Sequence, residues 1–337
     1  CRAESRQMGG CSHRRQLRRQ QRRHHHLRCT VTAIVSSQTA PYADPGADPK
    51  YSAGIGSSDH NSIGGGTITI SGGTVFAQSP DGAGIGCGEN SDGSAIVIAI
   101  SGGTVEAVST NGAGIGGGYE VGSGTVTGNV TINGGYVTAI GGSSGSTGGA
   151  GIGSGENANY GGTVTINGGV VYAEGGADST SIGSGNRAIG TSDNGAFTTG
   201  TGGNAVIVAP DGIGDPSGFA DWDGIFISYE GSNTSATVGE DGTVHLNDTE
   251  ANIQVWGEPV IDYPLVVESG TELRVVQNDR NYAYATLEIG QDGKLTNNGT
   301  VTVDEGSTLI LLEVLTRQMA AVHWNAPAPS NCPRRKS

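Results

Sequence analysis

Asp221 and Asp223 stand two residues apart in the stretch ADWDG. On an extended strand that spacing puts both carboxyls on one face, which suits paired acid–base work or part of a calcium shell. They are the candidate catalytic residues of the chain, although no base or basic residue accompanies them in the neighbouring sequence. The competing reading is a surface turn with Trp222 directed inward. Oxygen donors recur in three more loops: Asp59 beside His60 in SSDHNS, Glu89 and Asp92 in GENSDG, and Glu156 in GENANY. If stacking gathers these loops, they offer the hard oxygen ligands that Ca²⁺ takes; if not, they form a solvated rim. The calcium-binding nonapeptide pattern G-G-x-G-x-D is absent, so the chain is expected to need no cofactor, with Ca²⁺ as the one open case. Aromatic residues are scarce, at 5%. Phe76, Tyr119, Tyr136, Tyr160 and Tyr172 are therefore candidate carbohydrate-binding residues, because rings on one exposed face can stack on sugars. Their alternative role is ordinary cross-strand pairing.

What must position these residues is a repeat. The motif A-G-I-G or its remnant places Ile55, Ile85, Ile115, Ile152 and Ile182 at steps of 30, 30, 37 and 30 residues. A second motif follows the first four in phase: TITISGGTVFA, VIAISGGTVEA, NVTINGGYVTA and TVTINGGVVYA. Apolar residues alternate with hydroxyl residues before the glycine pair, as on a half-buried strand. The pairs Gly72-Gly73, Gly102-Gly103, Gly134-Gly135 and Gly168-Gly169 predict a sharp corner where a Cβ would clash. Alternation then resumes with Val75/Ala77 and its copies facing inward. Ser71, Ser101, Asn133 and Asn167 are expected to hydrogen-bond turn backbone. Each unit thus reads as one coil of a parallel β-helix, a β-solenoid of about 30-residue coils in an all-β fold. The seven-residue excess in the third step predicts a loop at one edge. Threonines at 67, 69, 131, 163 and 165 hint at a regular ladder, but Val97, Ala99 and Asn129 interrupt the lattice an ice-binding face requires.

Composition agrees with such a fold. Glycine supplies 61 of 337 residues, and in a periodic sequence that marks many tight turns. The net charge is −14, unevenly spread. Between Cys29 and Thr316 five basic residues face 31 acidic ones, a balance of −26. A body so acidic argues against nucleic acid as a partner. No apolar run is long enough to span a membrane. Five cysteines without a CxxC pair indicate neither a zinc site nor a disulfide framework.

The Arg-rich segment 1–29 is foreign to this pattern. Thr30–Ile34, TVTAI, matches YVTAI at 136–140, so a glycine corner should precede it; HHLRC stands there instead. Reading CGG, CAA and CAC codons one nucleotide out of register gives Gly, Asn and Thr, the idiom of the repeat. Residues 1–29 are therefore expected to be an out-of-frame or disordered segment, against the alternative of a basic arm for anionic partners. The tail 312–337 is also non-repeat and expected to be disordered. Between them, 30–200 reads as Gly-rich solenoid and 201–311 as further solenoid or an all-β cap, built on looser patterns such as LVVESGTELRV and KLTNNGTVTV.

With GAGIGGG, ISGGTVEA and INGGYVTA in hand, residues 30–311 resemble the Gly-rich repeat regions of large bacterial cell-surface proteins. The resemblance implies a right-handed, pectin-lyase-like β-helix, secreted or displayed at the cell surface, adhesin-like, and in contact with polysaccharide or host glycan. It implies a monomeric segment of a larger surface protein. The R-x-P-R, N-T-D and G-H-G markers of β-helical lyases and hydrolases are absent. The expected function is therefore a non-catalytic adhesin or stalk. A polysaccharide lyase or glycoside hydrolase fragment and a pure structural spacer are the alternatives.

Overall fold

The structure is a computed structural model. It describes residues 30–34, 51–60, 65–91, 95–119, 128–157, 162–186, 196–198, 204–214, 222–228, 231–250, 252–277, 283–312 and 322–324. The Arg-rich segment, Asp92, Tyr160, Asp221 and most of the tail lie outside them.

The two repeat motifs become two stacks. Strands Gly65–Ser79, Ala95–Ser109, Asn129–Ile140 and Thr163–Glu174 pair in parallel, each with the next. Their register aligns Ile70, Ile100, Ile132 and Ile166 in one column. Val75, Val105, Val137 and Val171 form a second, and Ala77, Ala107, Ala139 and Ala173 a third. All twelve side chains are buried, as period-two alternation requires when one face meets the core. Opposite them the short A-G-I-G strands stack Ile55, Ile85, Ile115, Ile152 and Ile182. The glycine after each isoleucine has a local cause. Gly86 sits at φ +139°, and a Cβ there would lie 2.1 Å from the Gly116 carbonyl oxygen. Serines tie strand to turn: Ser109 Oγ donates to the Gly82 carbonyl at 2.7 Å and accepts from the Gly112 N–H at 2.8 Å. The chain is all-β, a parallel β-helix.

Three details differ from the sequence reading. The glycine corner does not end a strand; the ladder runs through it with a register shift between Ile70 and Thr74, and likewise in the later coils. A bulge bends the strand while keeping most of its backbone bonds. Asn133 and Asn167 also pair with each other, Asn167 Nδ2 donating to Asn133 Oδ1 at 2.7 Å. The long third step is absorbed at two places. Val137 to Ile152 spans fifteen residues where Val105 to Ile115 spans ten, and the surplus forms a hairpin pairing Ser143–Ser144 with Thr147–Gly148. The other two residues fall between Ile115 and Ile132, seventeen apart against fifteen from Ile85 to Ile100.

Thr30–Ile34 pairs with Thr74–Gln78 and places Val31 on Val75 and Ala33 on Ala77. This is the register that its likeness to the end of a repeat demands.

The large sheet continues through Ala205–Ala209 and Gly224–Ser228, where the core changes side. Ala205, Ile207 and Phe226 face the first core with Trp222, whereas Val206, Val208, Ile225 and Ile227 face a second. AVIVA is apolar at every position, and IFI in the next strand likewise, because strands covered on both faces have no polar side to show. Gly224–Ser228 then pairs antiparallel with Asn252–Trp256, after which parallel stacking resumes through Glu272–Val275 and Thr300–Val303. Two further ladders close the second core. One runs Val244–Leu246, Pro264–Val267, Lys294–Asn297; the other runs Val260–Ile261, Thr286–Ile289, Thr308–Leu311. The C-terminal coils therefore wind against the outer face of the sheet whose inner face closes the N-terminal coils.

Candidate functional site

Where the second stack overhangs the first, it leaves a groove of about 540 Å³, within the range that ligand sites occupy. Its floor is the row that follows the glycine corner: Thr74, Thr104, Tyr136 and Val170, aligned coil on coil. The corner glycines Gly73, Gly103, Gly135 and Gly169 run beside it. Gly135 has φ +97°, and a Cβ there would meet the Gly103 carbonyl oxygen at 2.8 Å. Bare backbone is thus obligatory along this edge.

The wall comes from the second stack: Val238, Gly239, Glu240, Gly242, Val244 and Tyr263. A tight turn shapes it. Gly239 N–H donates to the Thr243 carbonyl at 2.8 Å, and Gly242 N–H to the Gly239 carbonyl at 3.0 Å. Asp241 Oδ1 accepts from the Thr243 N–H at 3.0 Å, and hydrogen bonding by Thr243 holds that carboxyl below its usual range. Floor and wall are joined by two phenols. Tyr136 Oη donates to the Asn233 carbonyl and Tyr263 Oη to the Asn204 carbonyl, each at 3.0 Å. Tyr136 stays half-buried.

The four aromatic candidates among the described residues are not gathered. Phe76 and Tyr172 share one row, but Glu106 and Thr138 separate them, and Tyr136 lies in the neighbouring row. Phe76 is half-buried, whereas Tyr172 is only 6% exposed. The Tyr172 side chain packs in the second core; its hydroxyl donates to Glu174 Oε2 at 2.5 Å, and burial with that contact pushes the phenol up. Its ring has no face open to a sugar, because the C-terminal stack covers that part of the sheet. Tyr119 belongs to a different corner, after the A-G-I-G strand, and Tyr160 lies outside the described residues.

That other corner carries the acidic row. Asp59, Glu89, Tyr119, Glu156 and Asn186 occupy equivalent positions, linked by bonds such as His60 N–H to the Glu89 carbonyl at 3.0 Å and Asn90 N–H to the Tyr119 carbonyl at 3.1 Å. Tyr119 separates Glu89 from Glu156, so stacking brings Glu89 near Asp59 but not near Glu156. Among the described residues, no three His, Cys, Asp or Glu side chains are placed to hold a metal ion. Glu89 is 6% exposed; Oε1 accepts from Asn90 Nδ2 at 3.1 Å while Oε2 has no partner. Burial, then Asp81 and Asp59, push its carboxyl up to about 7. Glu156 is 4% exposed; Oε1 accepts from Thr147 Oγ1 at 2.6 Å, and Oε2 again has none. Asp59 is paired with His60 at 2.6 Å.

Asp223 is taken up locally. Its Oδ1 accepts from the Glu258 N–H at 2.9 Å, fixing the turn after Trp256. Trp222 is fully buried, and its Nε1 donates to the Ile166 carbonyl at 3.0 Å. The inward-tryptophan turn is what forms, with Asp221 outside the described residues.

Sequence reasoning missed the wall residues Glu240, Val244 and Tyr263, since no periodicity ties them to the first stack. A signal did exist: the unbroken apolar run AVIVA announces that the outer face is covered there.

A family model described as Beta helix repeat matches residues 68–89, 98–119 and 164–186. Each match runs from a strand through the glycine corner to the loop after the A-G-I-G turn. No curated protein and no solved structure matches the chain. Motif, ladder and family model coincide in the same coils: the chain is a parallel β-helix repeat protein.

Proposed function

We propose that the protein is a non-catalytic, extracellular or cell-surface solenoid module that holds a polysaccharide or host glycan in the groove over Tyr136. In that role it serves as an adhesin or stalk within a larger bacterial surface protein. The observation that carries this reading is the half-buried Tyr136 ring on the floor of the groove, between Thr104 and Val170 and beside bare glycine backbone. An apolar ring with a few fixed polar groups is the usual make-up of a concave site, and it suits the apolar face and hydroxyl rim of a sugar. Support for binding rather than hydrolysis comes from Asp223, whose carboxylate holds a backbone turn.

Affinity electrophoresis of the full chain in gels containing plant, mucin or bacterial polysaccharides tests the reading. Retardation by a glycan that is recovered at full length is the expected result, with or without calcium. Shortened chains would convert the reading to a lyase or hydrolase. Free migration in every gel would leave a structural spacer.

A further inference from the structure

Resting on the glycan reading of this groove, we infer that the groove selects its ligand by charge, accepting neutral glycans and rejecting those that carry carboxylates. The inference comes from what lines the site and what extends from it. Among the described lining residues the only ionisable side chains are Glu240 and the two tyrosines; no lysine, arginine or histidine is present. The floor continues outward as an open shelf. Thr104 is followed on the same face by Glu106, and Thr74 by Phe76, because side chains two apart on a strand share a face. Glu106 lies between Phe76 and Thr138 in the next row. A ligand reaching from Tyr136 to Phe76 crosses two coil spacings and two residues of strand, about 12 Å in all. That exceeds one sugar ring, so the ligand is an oligosaccharide or longer, with Glu240 at the wall and Glu106 beside its path.

His245, whose Nε2 lies beside the Gly239 turn, is paired with Glu268 at 2.7 Å and does not line the groove. Of all lysines and arginines, only Arg274 and Lys294 fall among the described residues, and neither lines the groove. A uronic acid or a carboxymethyl group would bring its own carboxylate past Glu240 at the exposed rim of the wall and Glu106 on the exposed shelf. A neutral hydroxylated chain meets no such repulsion and can donate hydrogen bonds to both acids. Electrostatic exclusion of this kind weakens as salt shortens the screening length to about 3 Å at 1 M.

The probes are hydroxyethylcellulose, galactomannan and arabinoxylan, each beside its carboxymethylated form, in gels with the full chain at low salt. The expected result is at least tenfold tighter binding to a neutral polymer than to its carboxymethylated partner, narrowing to under threefold in 1 M salt. The double variant Glu106→Gln/Glu240→Gln should narrow the ratio to under threefold at low salt. Glu250→Gln/Glu305→Gln, exposed and outside the groove, makes the same change in net charge and should leave the ratio intact. Equal binding to both forms, a preference for the carboxymethylated form, or equal narrowing in both double variants would overturn charge selection while leaving glycan binding standing. Free migration with all six polymers would overturn both.

Discussion

Glu89 shows how a repeat can bury an ionisable group at a position that three of its five coils fill with a carboxylate. Its carboxyl is buried, one oxygen has no partner, and Asp59 and Asp81 lie close enough to oppose its ionisation. The folded state raises the pKa from 4.5 to about 7, so it binds this proton more tightly than the unfolded chain. The resulting stabilisation is fully present below pH 4.5 and is lost as pH rises through 7. The amount is roughly 3 kcal/mol. Glu89→Gln removes this dependence. Denaturation across pH 4.5 to 8 should show the variant gaining on the parent by about that amount. Parallel pH profiles would mean that the carboxyl is already relieved in solution.

Glycine carries a similar local necessity. Gly86→Ala combines a left-handed backbone with a Cβ 2.1 Å from a carbonyl oxygen of the next coil. The clash is with backbone, which cannot swing aside as a flexible side chain would. A loss of at least about 3 kcal/mol is expected in denaturant unfolding.

Among the elements, the first four coils were almost fully legible. Isoleucine spacing named one stack, and alternation around the glycine pair named the other, since each column is occupied by the same residue type in coil after coil. The bulge at the corner was not legible, because a glycine pair reads the same whether the ladder breaks there or bends. Strands Ala205–Ala209 and Gly224–Ser228 were recognisable as strands, yet their role was not. Only the fold shows that Ile225 and Ile227 face the second core while Phe226 faces the first. In a solenoid with a solvated outer face, Ile225→Ala or Ile227→Ala would cost little. Here each should cost about 2–5 kcal/mol, as a truncation in a packed core does. Thermal or chemical denaturation of the two variants checks this, and near-parental stability would contradict the two-sided sheet.

For the molecule as a whole, the consequence is a groove made by folding one solenoid stack onto the outside of another. Tyr136 was visible in the sequence as an outward aromatic. Its partner wall was not, because residues 238–263 come from a region without the Gly-rich repeat. The same overhang explains why Tyr172, equivalent in alternation, became core: it lies one coil further under the C-terminal stack. The acidic excess of the body, evident from composition alone, reappears in the groove as Glu240 with no basic counterpart.

The most direct measurement is calorimetric titration of a glycan that retards the full chain, using the parent, Tyr136→Phe and Tyr136→Ala. Phenylalanine keeps the ring and gives up only the hydrogen bond to the Asn233 carbonyl, so its affinity should stay within about threefold of the parent, since a typical net bond is worth near 1 kcal/mol or less at a partly exposed site. Alanine removes the ring from the floor, and affinity should fall at least tenfold, the order expected for losing an aromatic anchor. Undiminished binding by Tyr136→Ala, with the fold intact, would contradict a groove-bound glycan.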